Sequence, residues 1–273
     1  MQRFVTLSAT HILTGFALLL GLVSPAIGLA QSKRLPGLEL APGDTTTPVF
    51  PLIRIYKSPS ANSPLVGQAS AGQIFVVKQK TDVSAEFDGI QQFWYEVAFG
   101  KKLDHTGFVF GPGLACGFVQ TSDGTQFVLH VIESLDEGLK QVDIKVVTSE
   151  GPLVTFSNQI PITADDSLVV RRRDSLDFHG YTDLIVFDFL STECPDRHRE
   201  MGVLWNGDRA LQMPVLAGPE GSKSPCFRYQ YVLPDEPGGE PGMLKIRVQK
   251  TATQQEWVKF RLIQDFGFVE IRN

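Results

Sequence analysis

Between residues 53 and 110 the chain is cut into short apolar runs, each ended by glycine or proline. Ile53-Arg54-Ile55-Tyr56 leads into Ser58-Pro59-Ser60 and Pro64, and Leu65-Val66 stops at Gly67. Ile74 to Val77 follows Gly72, and Phe93 to Val97 and Gly107 to Phe110 close the set. Alternation this short, broken this often, leaves no room for a helix and dictates a small all-β barrel of about five strands. Gly67 and Gly72 stand where the chain reverses, and Pro59 and Pro64 fall in a loop where no ladder N–H is needed. By alternation Val76, Trp94, Val97 and Val109 are expected to share one buried face. Modules of this kind bind, and carry no chemistry of their own.

The same residues resemble the bacterial SH3 (SH3b) family. That family has a first strand with an Arg and then a Pro-bearing loop, matched by Arg54, Ser58-Pro59-Ser60 and Pro64. A strand ending in Gly (Val66-Gly67), a Gly before the next strand (Gly72), Trp-Tyr-x-Val (Trp94 to Val97) and Gly-aromatic-Val (Gly107-Phe108-Val109) follow in order. Thr81–Gln92 and Gly100–His105 are longer than the family pattern. The resemblance covers about a quarter of the chain and implies a shallow groove lined by aromatic rings, with Tyr56, Tyr95 and Phe108 as the binding residues.

Residues 1–30 carry one charged side chain, Arg3, then an apolar run from Ile12 to Val23 and small residues at Gly28 and Ala30. This is the pattern of a secretory signal peptide cleaved after Ala30, and Ser24-Pro25 interrupts it too soon for a membrane span. With the SH3b pattern it implies a bacterial periplasmic or extracellular protein. Residues 31–49, without periodicity, read as a flexible lead-in; 50–116 as the barrel; 117–273 as a second domain.

Residues 117–273 hold 16 basic against 23 acidic side chains, a balance that argues against nucleic acid as partner. Arg171-Arg172-Arg173, flanked by Asp165, Asp166, Asp174 and Asp177, reads as a solvated strand. Three cysteines allow one intramolecular disulfide, expected between Cys194 and Cys226, leaving Cys116 as the odd thiol near the domain junction.

The second domain reads as about ten further strands, an antiparallel sandwich or propeller-like sheet. The expected runs are 127–132, 142–147, 153–156, 168–170, 184–190, 202–205, 227–233, 244–248, 257–263 and 266–271. Asn206-Gly207-Asp208 predicts a hairpin turn and Pro234–Pro241 an exposed loop. His130, between Leu129 and Val131, is expected on the opposite face from them.

Asp174 to Val186 resembles the FG-GAP or integrin-type calcium loop. Aligned on Gly180, the ligand positions hold Ser175, Asp177, His179 and Asp183. Calcium takes hard oxygen donors, so the Ser and His depart from the pattern. The reading is a degenerate loop with no cofactor; the alternative is a weak calcium site at Asp177 and Asp183, joined by Asp174.

No Gly-x-Ser-x-Gly elbow, phosphate loop or Cys/His metal spacing occurs. The expectation is therefore a noncatalytic secreted or periplasmic protein whose barrel engages a peptidoglycan peptide or an envelope protein. One alternative is an inhibitor or immunity protein against a secreted lytic enzyme. Another is a cell-envelope hydrolase targeted by the barrel, with Cys116, Cys194, Asp177, His179 and Asp183 as starting points.

Overall fold

The computed structural model describes residues 39–87, 90–133, 139–162, 166–174, 178, 180–191, 198–216, 228–249, 255–263 and 267–271. The expected signal peptide, Asp177, His179, Cys194 and Cys226 lie outside them. The regular structure of the described residues is β-strand apart from one 3-10 turn, and none of them forms a helix long and apolar enough to cross a membrane.

The first sheet holds β1 (Thr45–Thr46), β2 (Leu52–Tyr56), β3 (Leu65–Ser70), β4 (Phe75–Phe87), β5 (Ile90–Phe99) and β6 (His105–Phe110). Their order is β1-β4-β5-β6-β2-β3, and the sheet curls around Ile53, Ile55, Ala69, Phe75, Val77, Phe93, Tyr95, Val97 and Val109. The core face is the one opposite to that expected for Trp94. Side chains alternate across a strand, so Phe93, Tyr95 and Val97 share the core while Trp94 takes the other face of β5. Val77, rather than Val76, is the core residue of β4 by the same parity.

Gly107 lets β6 pack closely against β2 and β3 where the sheet curls. A Cβ there would lie 2.5 Å from Ile55 Cγ2 and 2.8 Å from Val66 Cγ2. Two further departures concern segments read as loops. Of the expected insert at 81–92, residues 81–87 lengthen β4 and residues 90–92 lengthen β5, and the two are paired. The lead-in supplies β1 along β4, and Thr46 Oγ1 donates to the Ala115 carbonyl at 2.9 Å.

A 3-10 turn at Gly111–Gly113 leads into three four-stranded antiparallel meanders. The second sheet is β7 (Gly117–Gln120), β8 (Gln126–Glu133), β9 (Leu139–Thr148) and β10 (Gly151–Pro161). The third is β11 (Asp166–Asp174), β12 (Asp183–Ser191), β13 (His198–Trp205) and β14 (Ala210–Gln212). The fourth is β15 (Arg228–Val232), β16 (Met243–Gln249), β17 (Gln255–Ile263) and β18 (Gly267–Ile271). All ten strands expected after residue 117 are present, each within a few residues of its expected ends; the short β7 and β14 are additional. The Asn206–Asp208 turn joins β13 to β14, with the Asp208 and Arg209 N–H groups donating to Asn206 Oδ1.

The meanders stack face to face. Phe127, Leu129, Val142, Ile144 and Val146 of the second sheet meet Ile185, Phe187, Phe189, Met201, Val203 and Trp205 of the third. The other face of the third sheet, with Leu184, Val186 and Leu204, meets Tyr229, Tyr231, Leu244, Ile246 and Val248 of the fourth. A strand buried on both faces needs an unbroken apolar run, and Leu184-Ile185-Val186-Phe187 supplies it. Each such side chain contributes roughly 1.5–3 kcal/mol by leaving water. The second sheet's remaining face meets the barrel through Val128 and Val147 against Val49 and Ala115. Gln126 Nε2 donates to the Gly72 carbonyl and Lys145 Nζ to that of Val49, each at 2.8 Å.

The arginine run lies on an edge strand with Arg171 and Arg172 exposed, as expected, but all three side chains are ion-paired. Arg171 bridges Asp188 and Glu200 (3.3 and 2.9 Å), Arg172 pairs with Asp183, and Arg173 pairs with Asp235 and Glu236. Glu200 also accepts the Tyr231 N–H at 2.8 Å, so the network ties the third sheet to the fourth. Burial lifts the Glu200 carboxyl to about 7, against the pull of the Tyr231 N–H and of Arg171.

Candidate functional site

The barrel carries an open groove of about 530 Å³ at one end of its core. Gln68 of β3, the turn residues Gln73 and Ile74, Phe75 of β4, Phe99 of β5, the Gly100–Leu103 turn and His105 of β6 form its walls. Three rings make a chain along it: Phe75 and Phe99 meet edge to face at 6.3 Å, and Phe99 and His105 lie 5.6 Å apart. Gly67 makes room for the middle ring, since a Cβ there would lie 3.0 Å from Phe99 Cε2.

Leu103 is the only non-glycine with positive φ among the described residues, at 54°. For a leucine this left-handed conformation costs roughly 1–2 kcal/mol. The turn is held by the Leu103 N–H donating to the Gly100 carbonyl at 3.1 Å. It leaves Leu103 exposed at the rim beside Lys101 and His105. An exposed apolar side chain on strained backbone, beside aromatic rings and a cation, is an arrangement suited to contact.

The residues named from the sequence fall elsewhere, in two places. Tyr56 and Phe108 pair across β2 and β6, and Tyr56 meets Trp94 edge to face at 5.5 Å, with Phe110 beyond. This strip lies on the opposite face of the sheet from the core, buried at Trp94 and half-buried at Tyr56, Phe108 and Phe110. Tyr95 is not on that surface: it is 4% exposed, in the core. Burial, with Glu39 nearby, pushes its phenol pKa up, against a hydrogen bond with the Leu40 backbone. It lines a 40 Å³ cavity with Leu40, Gln92, Leu114 and Cys116, room for about one water. Cys116 is a free thiol, and burial raises its pKa, opposed by a hydrogen bond with the Val131 backbone. A thiol held protonated is a poor nucleophile.

Asp183 is buried, accepts Arg172 Nε at 2.6 Å and accepts the Thr182 hydroxyl at 2.9 Å. Its negative charge already faces a fixed cation, which argues against a calcium ligand. Among the described residues no three His, Cys, Asp or Glu side chains gather as a metal site.

One polar cluster lies between the barrel and the second sheet. His130 pairs with Asp143 across β8 and β9, on the face opposite Leu129 and Val131 as expected, but it is buried beneath Phe50. Ser157 donates to Asp143 at 2.8 Å, and Lys145 lies under the Phe50 ring. Burial and the Lys145 cation lower the His130 pKa to about 4, outweighing Asp143 and a hydrogen bond with the Pro112 carbonyl. The hydroxyl faces a carboxylate, not the imidazole, so no nucleophile–base pair is formed there.

Phe99, Leu103 and His105 were not singled out from the sequence. The available signal was the Phe99-Gly100 stop followed by a polar turn carrying a lone Leu. Comparison with known proteins finds no matching family model, no matching curated protein and no matching solved structure.

Proposed function

We propose that this is an exported, noncatalytic binding protein whose barrel engages a peptide, with the peptide part of peptidoglycan as the ligand. The observation that carries the reading is the open groove, floored by the buried Phe75, in which the half-buried Phe99 and the exposed His105 lie beside the exposed Leu103. SH3-type barrels bind through shallow aromatic grooves between loops, and the barrel's order of strand, Pro loop and Gly-ended strand is of that kind. The apolar export signal at the start of the chain fits an envelope ligand.

The test is retention of the purified protein on isolated peptidoglycan, with soluble stem peptide as competitor. Leu103→Ser and His105→Ala alter exposed side chains and leave the core intact. Both are expected to weaken binding at least tenfold, and stem peptide to compete. Retention unchanged in both variants, or none in the parent protein, refutes the reading.

A further inference from the structure

The outward face of the fourth sheet is a second surface with its own chemistry. Its inward residues Tyr229, Tyr231, Leu244, Ile246 and Val248 are buried against the third sheet, so the alternate residues face out. The pairing register sets them in rows. Val232, Lys245, Lys259 and Ile271 form one row, Gln230, Arg247 and Trp257 the next, and Met243, Arg261 and Val269 a third, with Val232 and Met243 buried at the margin. No carboxylate occupies an outward position on β15 to β18. Glu240 reaches in from the preceding loop, and both Lys245 and Lys259 pair with it, at 3.2 and 3.0 Å. Four cations against one carboxylate sit on a chain whose formal net charge is −5.

Two features mark this as more than a solvated face. Lys245 and Lys259 lie directly opposite each other, a like-charge pair that destabilises a sheet and that Glu240 offsets with a single carboxylate. Trp257 stands in their midst 44% exposed, with Lys245 Nζ 5.0 Å from its ring centre, while Val269 is 43% exposed beside Arg261. A large indole left in water on a cationic sheet is an unspent contact surface.

We infer that this face binds an anionic polysaccharide, a sugar chain bearing carboxylates. The Trp257 ring offers a flat apolar platform for the C–H face of a pyranose. Arg261 supplies charge-assisted donors for carboxylates, joined by the remaining N–H groups of Arg247, whose Nη2 donates to Gln230 Oε1. Neighbours within a row lie about 4.8 Å apart, one strand spacing, and successive rows lie two residues apart along the strands, roughly 6.7 Å. A nucleic acid is disfavoured: single strands stack successive bases on several aromatics, and the chain's net negative charge repels a denser polyanion. The inference does not depend on the barrel groove.

Trp94 and Trp205 are buried, so Trp257 dominates the solvent-quenchable fluorescence. The full protein is titrated with polygalacturonate, neutral dextran, poly-glutamate and a single-stranded oligonucleotide, following that emission and calorimetric heat. Polygalacturonate alone is expected to shift the emission, with affinity falling at least tenfold in 0.5 M NaCl, a salt level at which the screening length is only a few ångströms. Trp257→Ala and Arg261→Glu are each expected to lose at least tenfold, while Leu103→Ser in the groove binds as the parent does. Melting temperatures within a few degrees of the parent show that both variants fold; Trp257→Phe, which keeps a ring, is expected to retain most of the affinity. No response to polygalacturonate overturns the inference. So does equal binding of poly-glutamate, which would mean charge alone, or tighter binding of the oligonucleotide.

Discussion

Lowering the pH from 7 to 5 should weaken the seam between barrel and second sheet through one side chain, His130. The imidazole is 3% exposed, with Phe50 across its face, Lys145 and Asp143 on the neighbouring strand and the Pro112 carbonyl as partner. Its folded pKa is about 4, against an ordinary value of 6.5. The folded value is the lower one, so the unfolded chain takes up the proton first as pH falls. The stabilisation is whole above the ordinary value, declines as pH drops toward the folded one, and is constant below it. Linkage over that span gives a loss of about 2 kcal/mol between pH 7 and 5. Glu200 acts in the opposite direction. Its folded pKa is raised to about 7, so its stabilisation is present at low pH and fades as pH rises through that value. The parent's profile alone is therefore nearly flat, and the comparison must be with His130→Gln. Urea denaturation of both proteins at pH 7 and 5 should show the parent losing about 2 kcal/mol more than the variant. Parallel losses, or an NMR titration placing the His130 ring at its ordinary pKa, would refute the reasoning.

Asp123→Ala is expected to destabilise by about 2 kcal/mol, because it strands the buried Trp205 indole N–H, now donating to Asp123 Oδ2 at 3.1 Å. Asp123→Asn, which keeps an acceptor, should recover most of that in the same denaturation assay. Gly107→Ala is expected to lose about 2 kcal/mol from overpacking against Ile55 and Val66, read as a lower melting temperature with unchanged circular dichroism.

The strands were legible because their local signals agree. Leu184 to Phe187 and Val142 to Val147 announce their burial by run length and alternation, and Asn206-Gly207 announces its turn. What escaped depends on parity and on distant partners. Trp94 and Tyr95 are adjacent, so either could have been core; only the register with Val109 and Phe110 on β6 decides for Tyr95. The pairing of the arginine run escaped because its partners were sought among neighbouring aspartates. Apart from Asp183, they are Asp188 and Glu200, brought near by strand pairing within the third sheet, and Asp235 and Glu236, which follow β15 of the fourth. The groove depends on Gly67 lying beneath Phe99, a pairing that no short-range pattern contains.

The third sheet is covered on one side by the second and on the other by the fourth. Stability in such an arrangement passes from neighbour to neighbour, as in a row of repeats. Loss of the last meander, by proteolysis or premature termination, would uncover Leu184, Val186 and Leu204 together. The remnant would then carry a flat hydrophobic wall able to seed aggregation, so the C-terminal segment guards the solubility of everything before it.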